Sequence, residues 1–416
     1  MTSRCSTRAT GIRAVVGLAL LLSLTADVAA TAADFSPRGS RDRCRGVRVN
    51  PDDNIQALID RHRSRTTFCF RRGLYALSST IWTGSKHPRL DLRSGAVLDG
   101  QNGTFSGING EGAADRRGTV VLGGVFQHFG SSDGEAVSPI VMNGNWVVRG
   151  TEFRENFNAG LAILGDNARV TNVSTHHNGR YGLAVTHACT GCPAPTGVII
   201  EDSEIAFNNT RQLDTGYDAG GTKFSAGTDG MIVHHNEVHD NYGSGLWFDG
   251  FNKNANVYGN VIYDNYRWGI FWELSYGRAR IHDNVLTGNG IGDGSLTGHN
   301  AQLVVANSDG TVGGIEIYDN VIKGSAAPVS IIDSSTRPIR TRHVHVHHND
   351  MTLRATTSVV GFYGAESLST GAANRFNHNM YRVPDRGGAY WTSNGQKLTW
   401  RQWRAIGHDN EGSLRA

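Results

Sequence analysis

One short phrase recurs through the middle of the chain: VHHNEVHDN at 233–241, VYGNVIYDN at 257–265 and RIHDNVLTGN at 280–289. Asn236, Asn260 and Asn284 stand 24 residues apart, and so do Asn241, Asn265 and Asn289. A fixed period of this length dictates architecture before any local propensity is weighed. Looser copies continue at Asn320, Asn349 and Asn379, while Asn156, Asn178 and Asn208 hold the second position upstream. Their wider spacings imply coils that carry insertions, and the repeat covers about residues 140 to 380.

Each coil alternates apolar and polar residues over short runs bounded by Asn, Asp and Gly, as in Val257, Val261 and Ile262, then Ile270 and Trp272. That is a strand pattern, and no helical period intervenes. With about three strands per coil and no crossover helix, successive coils must stack as parallel strands about 4.8 Å apart. The predicted fold class is all-β: a single-stranded parallel β-helix, which is a solenoid. Asn at equivalent turns can form a ladder, giving to one coil and accepting from the other. Residues 51–63, PDDNIQALIDRHR, are predicted to form a helical cap at the amino end, with Ile55, Leu58 and Ile59 on one face. In KLTWRQWRAIG, Leu398, Trp400 and Trp403 are placed to cover the last coil. The divisions expected are 1–32, 33–139 (cap and first coils), 140–381 (regular coils) and 382–416 (carboxyl cap).

Residues 11–30 are apolar, follow Arg4, Arg8 and Arg13, and precede small residues, the order of a secretory signal cut near Ala32. Nothing later is apolar enough to span a membrane, so a secreted, extracellular chain is expected, most simply a monomer. Without Cys5, four cysteines remain, and spacing suggests Cys44 with Cys69 and Cys189 with Cys192, two other pairings staying open. A net charge of +3 is too small to imply nucleic acid, yet it suits an anionic glycan.

Aligning coils by a Gly before one strand gives GTKFS from Gly221, GLWFD from Gly245 and GIFWE from Gly269. Alternation turns Leu246, Phe248 and Trp272 inward, and Trp247, Asp249, Phe271 and Glu273 outward, with Lys223 and Ser225 one coil earlier. Asp249 and Glu273 should then lie about 5 Å apart with Lys223 diagonal to them. The same position carries Leu164 and Thr186 in earlier coils and Val305 and Ile332 in later ones, so the charge is confined to two coils. Trp247, Phe251, Trp268, Phe271 and Tyr276 in those coils, with Tyr217 from the insertion 209–220, are candidate sugar-stacking residues. The insertion 290–300 adds Asp293 and His299. His234, Tyr258, His282, Tyr318 and His347 recur at one outward position, which suggests a packed surface column.

These repeats, the TTFCFRRGLYAL segment at 66–77 and the WRQWRAIGHDNEGS tail resemble secreted right-handed β-helix proteins of the pectate-lyase-like superfamily, grouped around pectate lyases, alginate epimerases and polygalacturonases. The resemblance implies a right-handed coil with a polysaccharide groove on its outside. Three chemistries fit the ledge. In β-elimination, Lys223 is the base while Asp249 and Glu273, completed by Asp218, hold a Ca²⁺ that neutralises the substrate acid. In glycoside hydrolysis of the retaining type, the two carboxyls act as acid and nucleophile. In the third, the chain binds a glycan without cleaving it, and Lys223 merely pairs with the acids.

Overall fold

The computed structural model describes residues 44–416, apart from 104, 111–117, 132–137, 190, 293–299, 335–336, 338, 355–358, 365–371 and 394. Three sheets of 13 strands each run the length of this unit. Sheet A begins with Val47–Val49, sheet B with Gly73–Ala76 and sheet C with Ile81–Trp82. Every pairing is parallel except the last in sheet C, where Trp391–Ser393 and Gln396–Leu398 form an antiparallel hairpin. The chain visits the three sheets in turn, one strand in each per coil, which is the predicted solenoid. Coils extend on both sides of 140–381, from Val47 to Arg415. The expected amino-terminal leader lies outside the described residues, and among those described no helix is long and apolar enough to cross a membrane.

Both asparagine columns form as read. In one, the Asn236 side-chain amide donates to Asn260 Oδ1 at 3.0 Å, Asn260 to Asn284 at 2.9 Å, and the run continues through Asn320, Asn349 and Asn379. In the other, Asn156, Asn178, Asn208, Asn241, Asn265 and Asn289 follow the same rule. Each amide also donates to the main chain of a neighbouring coil, as Asn265 does to Val238 O at 2.9 Å, so a turn that would otherwise bury unpaired carbonyls leaves few. The first column ends on Asp409, which only accepts: from Asn379 at 2.9 Å, Tyr381 Oη at 2.8 Å and Trp403 Nε1 at 2.9 Å. The second ends on Gln302, whose Oε1 takes the Asn289 amide at 2.8 Å.

Leu246, Phe248, Ile270 and Trp272 point into the coil and are fully buried. Phe224, Phe248 and Trp272 pack rung on rung, the first pair edge-on at 4.9 Å and the second tilted at 5.1 Å between ring centres. Truncating one such ring to alanine typically costs about 3–5 kcal/mol. At the amino end the helix is shorter than 51–63: it spans Ile55–Arg61 because the Asn54 side chain caps Ala57 N at 2.9 Å, and residues before it form a turn. Ile55, Leu58 and Ile59 are buried as expected. At the other end Trp400–Ala405 is helical under a Thr399–Gln402 capping box, with Trp403 buried. The disulfides are Cys44–Cys69 and Cys189–Cys192.

Candidate active site on the outer face of sheet C

Strands Gly220–Ser225, Leu246–Asp249 and Ile270–Glu273 are adjacent in sheet C. Ser225 pairs with Asp249 and Asp249 with Glu273, so the two carboxylates occupy one column on neighbouring rungs. Lys223, two residues before Ser225, reaches diagonally to place Nζ 3.2 Å from Asp249 Oδ2. The predicted ledge therefore exists. One register reading does not: Glu273 pairs with Ala306, while Val305 pairs with Trp272 and faces the core. The slip arises because this rung has Gln302, not Gly, beside Gly269, so the glycine used to align the coils is missing. Ile332 does share the column, against Ala306.

The Lys223 ammonium is enclosed by electron-rich partners. It donates to the Tyr217 carbonyl and lies 4.4 Å from the Trp247 ring centre and 5.2 Å from that of Tyr217. The 209–220 insertion thus forms one wall, held down by Arg267 Nε donating to Thr215 Oγ1 at 2.9 Å. Asp218 turns away from the ledge. Its carboxylate accepts from Arg180 and, at 2.9 Å, from the Tyr181 hydroxyl. The three carboxylates proposed for a cation are therefore not gathered, and among the described residues no group of three or more His, Cys, Asp or Glu is placed to hold a metal. Calcium takes six to eight oxygens. The ledge offers two carboxylates, one facing an ammonium and the other an indole N–H, which does not fit that ion.

Burial, first, and the charge of Asp249, second, push the Glu273 carboxyl up to about 7. The Trp247 indole donating to Glu273 Oε2 at 3.2 Å, Arg337 and Lys223 oppose that rise. The folded state keeps a proton that the unfolded chain releases near pH 4.5, so this group's contribution is complete below that pH and is lost as pH rises to about 7. At 1.36 kcal/mol per unit the loss amounts to about 3 kcal/mol. Glu273→Gln is expected to flatten that dependence, melting higher than the parent at pH 8 and like it at pH 4.5. A parallel fall of both proteins with pH in calorimetry would show that Glu273 ionises normally.

The candidate sugar-stacking aromatics divide by exposure. Trp247, Trp268 and Phe271 are at most 2% exposed. They pack on the outside of sheet C with Val304, Ala306 and Ile332 and with the partly buried Tyr363, a second apolar cluster that the alternation pattern does not announce. Their structural place is packing under the ledge, with no ring face open to a passing chain. Tyr217 and Tyr276, by contrast, are exposed. Asp293 and His299 lie outside the described residues. The outward column of sheet A forms as a stack, with His234, Tyr258, His282, Tyr318 and His347 spaced 4.7 to 5.2 Å.

Above the ledge lies a cavity of about 440 Å³, lined in part by His187, Lys223, Ser225, Asp249, Phe251 and Arg337. His187 and Arg337 were not found from sequence because each sits in a connection after a sheet C strand, beyond the repeat. The cavity's charged lining is Lys223, Arg337 and Asp249, with Lys223 and Asp249 paired to each other.

The model of the right-handed β-helix region matches residues 138–310. Over 130 residues the chain is 32% identical to pectate lyase L of Paenibacillus polymyxa (strain SC2), a match that covers 31% of this chain and spans 25% of that protein's length. The mannuronan C-5 epimerase A-module of Azotobacter vinelandii superposes with a TM-score of 0.53 at 14% identity, over 86% of this chain and 92% of that one. The catalytic unit of a thermostable alpha-1,3-glucanase from Streptomyces thermodiastaticus gives 0.51 at 14% identity, over 83% and 66%. At such identities these two structures speak to fold alone. Its coil, its repeat and the matched region together make the chain a parallel β-helix solenoid with a right-handed β-helix region at 138–310.

Proposed function

We propose that this protein acts outside the cell on a uronate-containing polysaccharide and cleaves it by β-elimination in the cavity over Lys223, Asp249 and Glu273. The lining carries the proposal: Lys223 is paired with Asp249, so Arg337 leaves the space one positive charge in excess, which suits an anionic sugar. The name of the Paenibacillus polymyxa relative supports it. Arg337 can pair with the uronate carboxylate, lowering the cost of carbanion character at the adjacent carbon. Lys223 as a neutral amine, oriented by Asp249, takes the proton α to that carboxylate. The electron pair of the broken C–H bond becomes the new carbon–carbon double bond as the glycosidic C–O bond breaks. The leaving oxygen takes a proton from Glu273, which retains one near neutral pH.

A second reading has a specific basis. Glu273 is held protonated beside Asp249, one rung and about 4.8 Å away, as retaining hydrolysis requires of an acid and a nucleophile. Incubating the purified protein with polygalacturonate, alginate and neutral glucans separates the two. Elimination yields new ultraviolet absorbance together with reducing ends, and it is expected to survive EDTA because Arg337 supplies the neutralising charge. Reducing ends without absorbance would establish hydrolysis instead, and loss of elimination in EDTA would remove Arg337 from the assigned role.

A further inference from the structure

Beside the cavity, Phe251 and Tyr276 are 55% and 41% exposed and stack on each other, centroids 5.6 Å apart and planes 16° from parallel. Phe251 also lines the cavity. Its backbone is left-handed, with φ of 65°, a conformation costly for a bulky side chain. The turn explains how it arises. Asn252 N donates to Ser275 Oγ at 3.2 Å, which aligns those residues, yet Gly250 and Phe251 separate Asp249 from Asn252 where Leu274 alone separates Glu273 from Ser275. One rung earlier the residue equivalent to Phe251 is Gly227, with φ of 82°. A glycine therefore fills this conformation in the neighbouring coil, and a side chain there would press on Phe251 Cβ at 3.3 Å. The left-handed turn recurs in this coil stack, Leu274 adopting it at φ 47° one rung on, and Phe251 N is held by Leu274 O at 2.7 Å, so the turn fixes where the exposed ring stands, and core packing does not account for that exposure.

We propose that the Phe251–Tyr276 pair is a stacking platform for a neutral sugar face of the polysaccharide, continuing the floor of the charged cavity at Ala226 and Gly250. This rests on the cavity taking a polysaccharide. Phe251 offers the ring, Gly227 leaves space over it, and Tyr276 supports it from the next rung, its N donating to Asn252 O at 3.0 Å. Such a platform adds affinity for chains longer than the unit held over Lys223.

Affinity electrophoresis through gels carrying polygalacturonate or alginate, with thermal melting of the same samples, tests the assignment. Phe251→Gly is expected to weaken retention about tenfold while melting at or above the parent, because glycine adopts the left-handed turn freely. Phe251→Trp is expected to restore retention. Undiminished retention of Phe251→Gly, or equal weakness of both variants, overturns the platform while leaving the cavity proposal intact. Failure of the unsubstituted protein to be retained by or to cleave any acidic polysaccharide overturns both.

Discussion

Lys223→Ala is expected to lower the rate of elimination by at least about 100-fold, the low end of what a positioned base supplies. Lys223→Arg should not rescue it, since a guanidinium stays protonated at any working pH. For the parent, the rate of elimination should fall as pH passes about 7, where the Glu273 carboxyl gives up the proton meant for the leaving oxygen. Hydrolysis makes a different demand on the lysine. There Lys223→Ala would matter modestly, whereas Glu273→Gln and the decline above about pH 7 would affect both reactions alike. Initial rates of the three variants across pH, read by absorbance and by reducing ends, distinguish these cases. Near-normal elimination by Lys223→Ala would end the role given to this side chain.

The largest stability effect is expected in the ladder. Asn265→Ala leaves Asn241 N and its side-chain amide without the oxygen they reach at 3.3 and 2.9 Å, and deprives Val238 O, Tyr263 O and Asn289 Oδ1 of a donor. All of this lies in the dry turn, where Asn241, Asn265 and Asn289 are at most 1% exposed. Each orphaned buried group costs about 1–3 kcal/mol, so a loss of about 4 kcal/mol is expected, a large part of the whole stability of a domain. Asn254→Ala, at an exposed position in the same coil, gives up a residue suited to its left-handed φ of 54° and one hydrogen bond to Asp229, and should cost about 1 kcal/mol, well below Asn265. Urea unfolding measures both, and a cost below about 1 kcal/mol at Asn265 would mean that the column does not hold the turns together.

The fold was legible because each level of sequence pattern repeats the same instruction. The period of Asn236, Asn260 and Asn284 aligned the coils, and strict alternation then assigned Phe248 and Trp272 to the interior and Asp249 and Glu273 to the ledge. Where the pattern lapses, so did the reading. Gln302 in place of a glycine concealed a one-residue shift, which put Val305 in a column that belongs to Ala306. Alternation says which side of a strand a residue faces, not whether that side is wet. Trp247 and Phe271 are outward and still buried, because Val304, Ile332 and Tyr363 from later coils complete a cluster around them. Asp218 fell beside the ledge in sequence, but Arg180 and Tyr181, nearly 40 residues earlier, draw its carboxylate away. Arg337 and His187 belong to connections outside the repeat, where spacing carries no positional information.

The two amide columns also give the coil a direction. Every asparagine hands its hydrogen toward the carboxyl end, so the final member must receive without passing anything on, and Asp409 is that terminus for one of them. Shortening the coil should consequently cost something different at each end. Deleting whole turns from the carboxyl end strips the receiver from the last remaining asparagine even though each surviving turn is unchanged. Deleting them from the amino end keeps that receiver and removes instead the earlier-coil carbonyl that takes each amide's other hydrogen, as Val238 O does for Asn265.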